Sequence, residues 1–295
     1  MGGTGARGPV AVWTDRLLYT LSSWSSPKIF GTFLVWFGAW SAAVAVAIET
    51  LVSDDDKREL AATSSSVVAA LGVLFSFLTG FVITGQWSRS RTAEGAVHSE
   101  ADACVRLALA SQTPEIGGPQ LRRELVAYLR SVVDDEWGTL ETHGHRSHPG
   151  TPTTRSQLDA LEQQVRGAAT APDVRTAVSD ELLRAAEGLA IARRYRLNLA
   201  GHGLPSPLFV LVFTSGVVLS ISAVAIAGAH SGIAVLVAFG LILLIALDLA
   251  LILALSDPFR GPMCADATSM QIVLADLDNN RYGPIAPPDP TSKQT

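Results

Sequence analysis

The chain has 295 residues, of which 48% are hydrophobic and only 17% charged, with a formal net charge of −5. Soluble domains carry about 25% charge, so the deficit argues against an ordinary soluble protein, and the lack of a long basic run argues against a nucleic-acid partner. The charge is also partitioned: residues 87–206 hold 14 Arg and 15 Asp or Glu, whereas four apolar stretches hold almost none.

In chain order those stretches are Ile29–Ile48, Val67–Gly85, Leu208–Ala229 and Gly232–Leu255. Each approaches the roughly 20 residues needed to cross a hydrocarbon core about 30 Å thick. Unbroken apolar runs satisfy their backbone groups in lipid as helices. Ala43-Val-Ala45-Val-Ala47 resembles a small-residue cleavage site, but its apolar run exceeds the roughly 7–15 residues of a signal core, so span 1 is expected to be retained.

Lys and Arg near span ends set orientation. The link between spans 1 and 2 carries Glu49, Asp54, Asp55, Asp56 and Glu59 against Lys57 and Arg58, and the link 229–231 has no cation. Arg16 and Lys28 precede span 1, Arg89 and Arg91 follow span 2, Arg193, Arg194 and Arg196 precede span 3, and Arg260 follows span 4. Both termini and the central segment are therefore expected to be cytoplasmic. The expected class is an all-α membrane protein: a cytoplasmic segment 1–28, a hairpin 29–88, a cytoplasmic helical domain 89–204, a second hairpin 205–256, and a cytoplasmic segment 257–295 ending in a disordered Pro-rich tail.

Between spans 2 and 3 the pattern is amphipathic. Val97, Ala101, Cys104 and Ala108 trace one helix face, and Leu121, Leu125, Tyr128 and Val132 trace another. Pro114 to Pro119, with Gly117 and Gly118 inside it, separates them. A third helix carries Leu158, Leu161 and Val165. A fourth, from about Val174 to Ala200 with Val178, Leu182, Ala185, Leu189 and Ala192 on one stripe, is predicted to run as a stalk toward span 3.

His143, His145 and His148 invite a metal reading, but Pro, Gly and Thr neighbours make an exposed polar loop the better account. Asp54 to Asp56 lack the spaced ligands of a calcium loop and read as a solvated turn. Cys104 and Cys264, both on the reducing side, predict neither a disulfide nor a metal site. No phosphate loop, nucleophile elbow or metalloprotease helix is present. A non-enzyme without cofactor or metal is expected.

Asp248 is the only charge in span 4, and a charge inside a bilayer is costly. It lies seven residues before Leu255, about 10 Å inside the cytoplasmic boundary. The same depth on the other spans gives Trp36, Thr79, Thr214 and Ser215, all hydrogen-bond donors. These five residues are expected to form an intramembrane polar layer, acting either as a structural pin or as a permeation or proton-coupling site. On span 2, Val73, Phe77 and Phe81 stand four apart. Repeated around an oligomer axis they would form a dewetting constriction; ordinary packing or lipid contact also accounts for the pattern.

The phrases "SEADACVRLAL", "YLRSVVDDEWGTL", "ARRYRLNLAGHGLPSPLF" and "SDPFRGP", in an order of two spans, a helical segment and two spans, resemble the bacterial bestrophin-like domain family over roughly residues 30–275. Its motif residues here are Glu100, Glu136, Trp137, Asp257, Pro258 and Phe259. Kinship with bestrophins implies a pentameric channel of the bacterial inner membrane that passes anions such as chloride. On that resemblance Val73, Phe77 and Phe81 line the neck, and Arg89, Arg91, Arg193, Arg194 and Arg196 form an electropositive cytoplasmic entry. The tryptophan-rich continuation of the bestrophin second span is reduced to Trp87 and the acidic cluster after the last span is missing, which argues against calcium gating. The competing expectation is a non-conducting scaffold or sensor whose cytoplasmic helices bind a protein partner. A transporter ranks third, because no internal repeat with broken helices is visible.

Overall fold

In a computed structural model the described residues are 26–113, 116–137, 150–200, 204–228, 232–259 and 263–285. Among them all regular structure is helical: α1 (Ser26–Leu51), α2 (Asp54–Ala110), α3 (Gly118–Arg130) running into a π-helical segment (Ser131–Glu136), α4 (Pro152–Ala169), α5 (Thr176–Ala200), α6 (Ser206–Gly228), α7 (Gly232–Ala254) and α8 (Thr268–Asp278). Four of these, α1, α2, α6 and α7, are long and apolar enough to cross a membrane. The chain divides into two compact units.

The first unit holds α1, the N-terminal part of α2, α6 and α7. Ile29, Phe33 and Phe37 recur every four residues on α1 and are buried with Val212 and Leu219 of α6 and Ile242, Ile245 and Leu249 of α7. Gly216 of α6 permits the close approach: a Cβ there would lie 3.0 Å from Ile245 and 3.4 Å from Phe75, the role small residues play between membrane helices. The turn into α2 is built by charge. Ser53 Oγ accepts from the Asp56 N–H at 3.3 Å, and Asp54, Asp55 and Asp56 occupy the first turn, where carboxylates favour the helix dipole. Lys57 pairs with Glu49 at 3.2 Å and Asp54 at 3.1 Å. The acidic run is solvent-exposed and forms the first turn of α2.

α2 contains 57 residues. The separate amphipathic helix expected after span 2 is its C-terminal part, because "SRSRTAEG" contains no proline and one glycine, Gly95, is not enough to end a helix. α5 ends at Ala200, and α6 opens afresh at Ser206 behind Pro205.

The second unit packs the rest of α2 with α3, α4, α5 and α8. Val97, Ala101, Cys104 and Ala108 of α2 are buried with Leu121, Leu125, Tyr128 and Val132, Leu158, Leu161 and Val165, and Leu182 and Leu189. Thr151 caps α4 by accepting from the Thr154 N–H at 3.2 Å, and Thr154 Oγ1 donates to the Ser131 carbonyl at 3.1 Å. The first carbonyl of the π turn thereby gains a side-chain donor. α8, which no periodicity predicts, buries Met270, Val273 and Leu277. Behind it the buried Arg122 donates to the Pro284 carbonyl at 2.9 and 3.0 Å and to the Ser111 carbonyl at 3.1 Å.

Candidate functional site

The membrane-crossing part of α2 has two opposite faces. Phe75, Thr79, Val82 and Gln86 are buried, whereas Val73, Phe77 and Phe81 are 71%, 70% and 66% exposed. At 3.6 residues per turn the mean direction of the exposed trio lies about 170° from that of the buried four. Three bulky apolar side chains therefore face directly away from the helices of their own unit.

The intramembrane residues expected as one layer lie apart in hydrogen-bonding terms. Asp248 is half-buried on α7, Thr79 is buried, Trp36 and Thr214 are exposed, and Ser215 is half-buried. Ser215 Oγ donates to the Val212 carbonyl of its own helix at 2.8 Å, and Thr79 Oγ1 has no partner. Trp36 instead joins an aromatic patch, stacked on Trp40 with centroids 5.9 Å apart and in contact with Phe213 at 5.0 Å.

In the second unit the structure gathers most of the motif residues into one buried network. Arg196 donates through Nε to Glu100 Oε2 at 2.6 Å and through Nη2 to Glu136 Oε2 at 2.7 Å. Arg193 donates to Glu136 Oε1 at 2.8 Å, and the Tyr128 hydroxyl donates to Glu100 Oε1 at 2.6 Å. The Arg196 guanidinium lies 5.1 Å from the Trp137 ring, whose edge meets Phe259 at 6.0 Å. Glu100 comes from α2, Tyr128 from α3, Glu136 from the π segment and both arginines from α5, so two carboxylates and two guanidinium groups cancel formally while joining four segments. Burial works against the charge of Arg196, but Glu100 and Glu136 outweigh it and raise its pKa above the ordinary arginine value. Burial raises the Tyr128 phenol well above its usual range, as does the adjacent Glu100. Gly150 closes the network from the α4 side. Its φ is +88°, and a Cβ there would lie 2.9 Å from both Arg193 Nη2 and Glu136 Oε1.

A Bestrophin-like domain model matches residues 35–270. The chain belongs to the Bestrophin-like family. Solved structures of two single-site variants of a bacterial bestrophin homologue from Klebsiella pneumoniae share its fold, each with TM-score 0.64 at 14% identity. They cover 85% and 87% of this chain and 98% of their own. A third solved structure, described as a membrane protein, gives TM-score 0.62 at 14% identity over 85% of this chain and 97% of its own. No curated protein matches the chain.

For this Bestrophin-like chain the structure also corrects the expected cytoplasmic entry. Arg193 and Arg196, grouped with the cytoplasmic entry, are buried and paired with carboxylates, so they present no charge to an incoming ion. Of the other three, Arg91 and Arg194 are exposed and Arg89 is half-buried. Tyr128 is the network member that sequence reading assigned only to the core. Its signal was present: Glu100 and Arg196 interrupt apolar faces of α2 and α5, and an inward charge requires a partner. Asp257 and Phe259 are both buried. His143, His145, His148, the link 229–231, Arg16, Arg260 and the Pro-rich tail beyond 285 lie outside the described residues.

Proposed function

We propose that this chain is one subunit of an oligomeric ion channel in which α2 lines the conduction path and Val73, Phe77 and Phe81 form its apolar neck. The observation carrying this reading is the exposure of that trio on the side of α2 opposite its buried seam. Copies arranged around an axis would join the trios into rings that shed water, a recurrent gate in pores. The flanking positions on the same face are small and hydroxylated. Ser66 and Thr84 donate to the carbonyls of Thr63 and Gly80 at 2.7 and 2.8 Å, which leaves hydroxyl lone pairs for water on either side of the neck.

Family membership supports the channel, and the resemblance to bestrophins extends the reading to inorganic anions such as chloride and to a pentamer. The Lys and Arg distribution supports an inner-membrane protein with both termini and the second unit cytoplasmic. Arg89, Arg91 and Arg194 remain as entry residues that concentrate anions. Chloride efflux from liposomes holding the purified, verified oligomer tests the proposal: efflux above that of empty liposomes supports it. No efflux favours the non-conducting scaffold, for which the groove between α4 and α5, lined by Val165, Leu183, Ala186 and Ala190 with Glu162, Arg166 and Glu187, would be the partner site.

A further inference from the structure

Several polar groups in the membrane-crossing helices, Ser41 Oγ and Thr79 Oγ1 among them, find no hydrogen-bond partner among the described residues, and two of the larger ones lie on α1 and α7. Among the described residues neither the Asp248 carboxyl on α7 nor the Trp36 indole on α1 makes a hydrogen bond, although α1 and α7 pack together. Trp36 follows Lys28 by eight residues, about 12 Å of helix, and Asp248 precedes Ala254, the last residue of α7, by six, about 9 Å. In the proposed topology both counts start from the same membrane surface, so the two groups lie within about one helical turn of the same depth. That depth is unusual for tryptophan, which concentrates at the interfaces. Acyl chains offer an indole N–H no acceptor and a carboxyl no donor. Trp36 is nevertheless 41% exposed and held by an aromatic platform, parallel within 4° to Trp40, itself 36% exposed. A rigid exposed donor and a half-buried acceptor at similar depth are complementary surfaces of one chain.

We propose that the Trp36 indole of one subunit donates to the Asp248 carboxyl of the adjacent copy, so that α1 of one chain and α7 of the next form the subunit contact within the membrane. A contact that joins two different surfaces of identical chains is head-to-tail, the kind that closes rings, and it gives Asp248 the partner that its own helices withhold. The inference rests on the oligomeric reading of the channel.

The test uses the full chain in membranes, with Cys104→Ala and Cys264→Ser as background. Trp36→Cys and Asp248→Cys are introduced singly and together, then treated with a short bismaleimide. The double variant is expected to yield a ladder of covalent multimers, and neither single variant should. A verified oligomer whose double variant gives only uncrosslinked or intrachain product overturns the contact and leaves the channel standing. A monomeric parent overturns both. A conservative pair provides a second readout: Trp36→Phe keeps the ring and deletes the N–H. It should weaken subunit affinity by about tenfold, with little further loss when Asp248→Asn is added. Fully additive losses contradict a shared bond.

Discussion

Arg196 is fully buried, with its guanidinium shared between Glu100 and Glu136. Removing the cation leaves the buried Glu100 with no opposite charge and Glu136 with Arg193 alone, a change that costs about 3–5 kcal/mol. Arg196→Met should therefore lower the thermal unfolding midpoint sharply, whereas Arg194→Met, at an exposed position, should leave it nearly unchanged; circular dichroism melts compare them. Gly150→Ala should cost about 1–3 kcal/mol in the same assay, because both its positive φ and the nearby Arg193 and Glu136 atoms disfavour a Cβ. Burial raises the Cys104 thiol and the Tyr128 phenol well above their ordinary values. Groups raised in the folded state stabilise it fully below their unfolded pKa and lose that contribution as pH rises toward the folded one. Stability should thus be flat through neutral pH and fall on the alkaline side, from the ordinary thiol range upward. Cys104 should resist alkylation in the native protein and react after unfolding. These residues show how much a single chain discloses. Glu100 and Arg196 were visible as charges on apolar stripes, but their pairing across 96 positions depends on packing that no local pattern encodes.

At the scale of elements, the apolar runs read well because lipid-length hydrophobic segments have few alternatives. Their ends read less well. α2 begins 13 residues before the apolar run that starts at Val67 and ends at Ala110, since both flanks are polar but helix-compatible. α8 carries a weak signal, since only Met270, Val273 and Leu277 mark its inner face; three apolar residues in an 11-residue segment resemble background. Its attachment makes a prediction. Arg122 joins the Ser111 and Pro284 carbonyls, so Arg122→Ala should loosen the segment that follows α8. Tryptic cleavage after Arg281, an exposed position, should accelerate on the order of tenfold, as expected when local opening becomes about 1.4 kcal/mol easier. An unchanged cleavage rate would show that the apolar face of α8 alone holds it.

For the whole molecule, the two units divide the work. The buried network fixes the C-terminal part of α2 among its neighbours, while the membrane-crossing part leaves an apolar stripe uncovered. The bare face of the membrane-crossing part of α2 is the surface that the proposed channel would bring together in its neck. Chloride efflux from liposomes containing Phe77→Ala, compared with the unsubstituted oligomer at equal protein content, tests this most directly. Widening the apolar ring should raise efflux several-fold, because the barrier to wetting falls as the constriction opens. Equal efflux from the two verified oligomers would place the conduction path elsewhere and contradict the assignment of α2 as its lining.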